Sequence, residues 1–231
     1  MSHQPKTLLS WSSGKDSAWS LHVLRTRQDA EVVGLLTTIN EAYSRVAMHA
    51  VRVELLEAQA KAVGLPLWKI PIPSPCSNAE YEAAMLAAIQ RAKAEGINTF
   101  AFGDLFLEEI RRYREECLRG TGISPLFPIW ASPTRELVRE MIDAGLRARV
   151  TCVDPKQLPA SFVGREFDAQ FLADLPPNVD PCGERGEFHT FAYDGPMFRY
   201  PVPVQLGEIV EREGFVFADL LPQDPHNDRT A

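Results

Sequence analysis

One stretch near the amino terminus restricts the fold more than any other. The apolar run Thr7-Leu8-Leu9-Ser10-Trp11 breaks at Ser12-Ser13-Gly14-Lys15-Asp16-Ser17 and resumes as Ala18-Trp19-Ser20-Leu21-His22-Val23-Leu24. This reads as a short strand, a tight turn of small residues and a helix. Backbone N–H groups at a helix start have no partner inside the helix, and the helix dipole adds partial positive charge there. Such a turn is an anion site, most often for phosphate. Lys15 adds a full positive charge, and Ser12, Ser13 and Ser17 add hydroxyl donors. Asp16 is the odd member: a carboxylate beside phosphate is repelled unless a cation stands between them, which points to magnesium.

The pattern continues as alternating strands and helices. Residues 31–38 and 67–72 read as strands, and a helix over 53–63 carries Leu55, Leu56, Gln59, Ala60 and Val63 on one side. Asn78 is expected to cap a further helix that closes at Gly96, and residues 99–103 form the next strand. Strand–helix alternation implies a parallel sheet with right-handed crossovers. Ligands bind at the carboxyl ends of such strands, where the strand order reverses. The loop at 12–17 and the turn at Gly103-Asp104 both fall at such ends, so they are expected to face one cleft.

The second half differs. The proline- and aromatic-rich run 124–133 reads as a hinge, followed by a helix with Leu137, Val138, Met141 and Ile142 on its apolar face. A strand over 148–153, a helix over 162–172 and strands over 188–193 and 197–204 follow, with a closing hairpin or edge strand near Val210 and 215–217. The expected domains are residues 1–128 and 129–222, with a disordered tail at 223–231.

Composition sets the outer limits. The 231 residues carry a net charge of −7, which argues against nucleic acid as the main partner. No apolar run is long enough to cross a bilayer, and residues 1–6 do not open a secretory signal. The four cysteines, Cys76, Cys117, Cys152 and Cys182, form no paired motif, which fits reduced thiols in a cytoplasm.

Two further constellations carry chemistry. After Phe102-Gly103-Asp104, residues 105–116 are dense in both charge signs. They read either as a solvated helix with Glu108–Arg112 and Arg111–Glu115 pairs, or as a cleft wall in which Asp104 joins some of Arg111, Arg114 and Glu115. The segment Asp180-Pro181-Cys182-Gly183-Glu184-Arg185-Gly186-Glu187-Phe188-His189-Thr190 concentrates glycines, carboxylates and a histidine. Glu184 and Glu187 are candidates to position an ammonium or a metal, and His189 to act as acid or base. The competing reading is a turn with its charges in water and His189 packed on Phe191.

The loop is not a Walker A motif: Asp16 follows the lysine, and Leu9 stands where the first glycine would be. It resembles the PP-loop of the ATP pyrophosphatases, usually Ser-Gly-Gly-x-Asp-Ser, with Ser13 at the first glycine. Met48-His49, Phe102-Gly103-Asp104, Tyr113-Arg114-Glu115, 127–130 and 182–190 follow in order, and together they resemble the diphthine–ammonia ligase family. The resemblance implies an adenine nucleotide alpha hydrolase-like, doubly wound α/β domain followed by a smaller α+β domain. It implies a ligase that adenylates a substrate carboxylate, releases pyrophosphate and amidates with ammonia or an amine. ATP and Mg2+ would be required. Ser12, Ser13, Gly14, Lys15, Ser17, Thr37, Met48 and Gly103 would bind the nucleotide, with Asp16 on the metal. Lys15, Asp16, Asp104, Glu115, Glu184, Glu187 and His189 would serve catalysis. The acceptor would be a small-molecule or protein carboxylate, and a homodimer is compatible with the reading. Diphthine ligases tend to carry Gly-Gly-Glu-x-Glu-Thr at the last motif, whereas this chain has Gly-Glu-Phe-His-Thr, which resembles a largely bacterial branch. The alternatives are a PP-loop tRNA-modifying enzyme and a non-catalytic ATP-binding sensor.

Overall fold

The computed structural model describes residues 4–40, 45–46 and 51–223. Five parallel strands form the first sheet: β1 (Lys6–Ser10), β2 (Glu31–Asn40), β4 (Leu67–Ile72), β5 (Thr99–Ala101) and β6 (Ser124–Leu126), in the order β4-β2-β1-β5-β6. The two-residue β3 (Arg45–Val46) pairs antiparallel with the end of β2. Neighbouring leucines of β1 point to opposite faces, as strand geometry requires. Leu9 joins the core formed with α1 (Lys15–Arg27) and α2 (Val53–Val63), while Leu8 joins the one formed with α3 (Asn78–Ala94) and Leu118 of α4 (Glu108–Leu118). Helices therefore cover both faces, and the sheet is doubly wound. The chain moves outward from β1 through β2 to β4, then returns to β5 on the other side of β1. The reversal of strand order lies between β1 and β5, where such folds open a crevice.

After α5 (Thr134–Asp143) the architecture becomes antiparallel. β7 (Arg147–Val153), β8 (Phe188–Asp194), β9 (Val204–Arg212) and β10 (Phe215–Pro222) form a second sheet in the order β8-β7-β10-β9. Phe162, Phe167, Phe171 and Phe188 pack at its side, with ring centroids 5.2 Å apart for Phe171–Phe188 and 5.6 Å for Phe162–Phe171. The main apolar core runs without a break from Leu9 to Phe191, so the two sheets share an interior.

Several local expectations are corrected. Ser77, not Asn78, caps α3: its hydroxyl accepts from the Glu80 N–H while Glu80 Oε2 accepts from the Ser77 N–H at 2.8 Å. That reciprocal pair satisfies two donors at once and outcompetes a lone asparagine. The run at 124–133 is not only a hinge. Its first residues form β6, where Pro125 is tolerated because an edge strand can lack one N–H. The helix expected over 162–172 breaks into a 3₁₀ turn at Ala160–Phe162 and the short α6 (Ala169–Asp174), started by Asp168. The strand expected from Met197 begins only at Val204. The tail from residue 224 lies outside the described residues.

Candidate functional site

The carboxyl ends of β1 and β5 open onto a cleft of about 330 Å³. The loop contributes Ser12, Gly14, Lys15, Asp16 and Ser17, the β5 end contributes Phe102, Gly103 and Asp104, and the second domain closes the cleft with Glu184, His189 and Thr190. Sequence distance is bridged by specific contacts. The Lys15 N–H donates to Thr190 Oγ1 at 3.1 Å, and the Ala192 N–H donates to the Ser13 carbonyl at 2.9 Å. The Leu105 N–H donates to Glu184 Oε1 at 2.8 Å. Gly103 lies against the first turn of α1: a Cβ there would stand 3.1 Å from the Asp16 carbonyl carbon and 3.2 Å from the Ser17 nitrogen. Glycine is what allows that approach.

The loop itself is held from within. Ser12 Oγ accepts from the Gly14 N–H, and Ser17 Oγ donates to the Gly14 carbonyl at 2.9 Å. Gly14, the N-cap of α1, offers no side-chain cap to the helix start. Ser13 adopts φ 70° and is fully buried, and its hydroxyl has no partner among the described residues. Its carbonyl accepts from Gln59 Nε2 at 2.9 Å, and the same amide group donates to the Ala192 carbonyl at 2.5 Å.

Lys15 is buried, with 2% of its side chain exposed. Its ammonium donates to Asp16 Oδ2 at 2.8 Å and to the Cys182 carbonyl, and sits over the rings of Phe167 and Phe188. Burial alone would lower its pKa, but the Asp16 carboxylate overrides this and raises it, so the cation persists. Burial pushes the Asp16 carboxyl up, opposed chiefly by Lys15. The second carboxylate oxygen of Asp16, Oδ1, is buried and has no partner among the described residues. Glu184 is pushed up to about 7, first by burial and then by the neighbouring charges of Asp16 and Asp104, against the Leu105 N–H and Lys15. His189 is pulled down to about 4 by burial and by Lys15, so its imidazole is neutral at pH 7.

Other expected residues sit elsewhere or do other work. Glu187 is 2% exposed, and its two oxygens accept from the N–H groups of Asp180 (3.0 Å) and Arg185 (2.9 Å). It shapes the 180–187 turn and does not line the cleft. Glu115 pairs with Arg111 at 2.8 Å on α4, outside the cleft lining, as the solvated-helix reading anticipated. Thr37 is buried and donates to the Trp11 carbonyl at 2.6 Å, tying β2 to β1. Met48 lies outside the described residues. Asp104 pairs with Arg114 at 3.3 Å, and the Arg114 guanidinium covers the Phe102 ring at 4.6 Å. Arg111 packs on Phe127 and Trp130, fixing α4 to the segment after β6.

Residues 5–125 match the family model described as the diphthamide synthase N-terminal domain, and residues 133–219 match the diphthamide synthase C-terminal domain. The chain belongs to the diphthamide synthase family. Curated relatives of this family are the diphthine–ammonia ligases of Bos taurus and Homo sapiens, each 26% identical over 238 residues. Each alignment spans 90% of this chain and 85% of the relative. The diphthine–ammonia ligase of Danio rerio is 29% identical over 177 residues, 69% of this chain and 68% of the relative. No described helix is long and apolar enough to cross a membrane. Gln59, which holds the 12–17 loop through the Ser13 carbonyl, is a supporting residue that pattern reading placed only on a helix face. A glutamine on an otherwise apolar helix face was its only signal, because a buried amide requires partners.

Proposed function

We propose that this chain is an ATP-dependent amide-forming ligase: a substrate carboxylate is adenylated with release of pyrophosphate, and ammonia or an amine then displaces AMP. One observation carries the reading. The first turn of α1 meets Gly103, Asp104 and Glu184 across a single cleft at the reversal of strand order. The relatives are diphthine–ammonia ligases, which supports the same reaction class.

Bound ATP supplies an electrophilic α-phosphorus and a pyrophosphate leaving group. The N–H groups at the start of α1, with the hydroxyls of Ser12 and Ser17, suit the phosphate oxygens. The unpartnered Asp16 Oδ1 fits Mg2+, an ion often held by one or two carboxylates together with substrate phosphates. There it would offset charge on the leaving group. Lys15 acts through position: its ammonium neutralises Asp16 and joins the loop to the Cys182 carbonyl, and its positive field reaches the cleft floor. Glu184, titrating near neutrality, can take a proton from ammonium, which frees ammonia as the nucleophile, and can then pass that proton to solvent. Neutral His189 can accept or donate a hydrogen bond without adding charge.

The test is product analysis with ATP, Mg2+, ammonium and a panel of carboxylic acids. Acid-dependent formation of AMP and pyrophosphate is expected. ADP and orthophosphate would overturn the reading, and so would tight ATP binding without turnover, which would indicate a sensor.

A further inference from the structure

A second cavity, larger than the phosphate cleft, lies beside it. This cavity of about 480 Å³ lies between the amino-terminal half of α3 and α4, over β5. Tyr81, Met85, Leu86, Phe100, Phe102 and Tyr113 form half of its wall. Its volume falls in the range of ordinary small-ligand sites. α3 begins after the carboxyl end of β4, and α4 begins after the end of β5. The cavity takes its α4 wall from the carboxyl half of that helix, Tyr113 to Leu118, and lies on the opposite face of the sheet from α1.

The two spaces share two residues, Phe102 and Arg114. Arg114 is the junction: its guanidinium stacks on Phe102 and reaches Asp104, which lines the phosphate cleft. A second, independent feature marks the same place. Leu86 is 51% exposed and Tyr113 42%, both on the cavity wall, and Ile110, 37% exposed, lines the adjoining cleft. Large apolar side chains clustered around a concave mouth are characteristic of binding surfaces. Glu82 and Glu116 stand at the same wall and disfavour an anionic occupant inside it.

We propose that the α3–α4 cavity holds the apolar arm of the acceptor, a free carboxylic acid whose carboxylate lies at Arg114 and points into the phosphate cleft. The inference rests on the adenylation reading above and names the substrate class for it. The order of parts follows from charge. The only end of such an acid that gains from Arg114 is the carboxylate, and it must face the α-phosphate to react. The uncharged arm gains from Leu86, Met85 and the two tyrosines. In the acceptor complex the carboxylate replaces Asp104 as the partner of Arg114. Residues of the 12–17 loop line the cleft and not the cavity, so nucleotide and acid occupy separate walls.

The test uses ATP–pyrophosphate exchange on the full chain with acetate, straight-chain alkanoic acids of increasing length and arylalkanoic acids, each with and without Leu86→Trp. Leu86 is half exposed, so the larger side chain can be carried without repacking the core. The KM for the acid is expected to fall at least tenfold from acetate to the longer acids. Leu86→Trp should then raise it about tenfold for the long acids only, leaving the KM for ATP unchanged. An acid KM indifferent to arm length, or a variant that raises the KM for ATP instead, overturns the proposal. Saturation-transfer NMR with the same acids reads occupancy without turnover. Transfer to arm protons that Leu86→Trp abolishes supports the cavity assignment even where exchange is silent, and silent exchange then counts against adenylation alone. Absence of transfer from every acid overturns the cavity assignment whatever the exchange shows.

Discussion

The side-chain amide of Gln59 donates to the Ser13 carbonyl at 2.9 Å, and so ties α2 to the strained residue of the 12–17 loop. The same side chain accepts from Trp11 Nε1 at 2.9 Å and donates to the Ala192 carbonyl at 2.5 Å. One buried glutamine thus joins β1, the loop and β8. Replacing it with leucine keeps the volume, strands the Trp11 indole N–H and takes one donor from the Ala192 and Ser13 carbonyls, of which Ser13 keeps the Ala192 N–H. A buried polar group left unsatisfied costs about 1–3 kcal/mol. Gln59→Leu is expected to lose about 3 kcal/mol in urea unfolding. An unchanged unfolding midpoint would contradict the bridging role.

Ser13 makes the opposite prediction. It holds φ 70° with a side chain, and its hydroxyl is buried without a partner among the described residues. The left-handed conformation costs an L-residue roughly 1–2 kcal/mol, whereas glycine carries only the extra unfolded-state entropy of about 0.4–1 kcal/mol. Ser13→Gly should therefore raise the thermal midpoint by a few degrees and keep the loop geometry. Ser13→Ala removes the hydroxyl but keeps the strain, so its gain should be smaller. A destabilised Ser13→Gly would mean that the hydroxyl has a structural partner.

How far the site was legible follows from which interactions are local. The strand, turn and helix start around Ser12 to Ser17 were legible because every element of them is contiguous. The parallel sheet was legible for the same reason, since each strand and helix carries its own periodicity. Thr190 is 175 residues from Lys15, so no pattern within either segment reveals their hydrogen bond. The acceptor for the Lys15 ammonium at Cys182 is a backbone carbonyl, which every residue type possesses. Glu187 looked chemical because carboxylates beside glycines suit catalysis. Its two backbone partners show that the same residue type also suits a tight turn. Pro125 argued for a hinge because proline is excluded from central strands, and only the position of β6 at the sheet edge removes that objection.

The Lys15–Asp16 pair should behave as a unit. Removing one member of a buried ion pair strands the other charge, at a cost of about 3–5 kcal/mol. Asp16 keeps 25% of its side chain exposed, so the lower end of that range applies to Lys15→Met. Asp16→Asn leaves Lys15 the Cys182 carbonyl and should cost less. The double variant is expected to be more stable than the sum of the single losses implies. A double-mutant cycle in urea measures the coupling, and strict additivity would show that the two residues do not share a charge balance. Pyrophosphate release should be lost in both single variants.

Glu184 and His189 give the ligand-free chain opposing pH dependences. Glu184 titrates near 7 in the folded chain against an ordinary value of 4.5. Between those values the folded state binds more protons than the unfolded state, so this group lowers stability as pH rises, and the penalty is complete above 7. His189 titrates near 4 against 6.5. Between those values the folded state binds fewer protons, so this group raises stability as pH rises, and its contribution is lost on acidification through 4. The two slopes offset between 4.5 and 6.5, where each amounts to on the order of 2 kcal/mol after allowance for solvent screening. Glu184→Gln should therefore gain stability relative to the parent chain as pH rises from 4.5 to 7. His189→Asn should lose stability relative to the parent chain as pH rises from 4 to 6.5. Urea midpoints at fixed pH across that span measure both differences. Parallel curves for parent and variants would mean that neither group is displaced from its ordinary range, and the proton-transfer role given to Glu184 would fall with them.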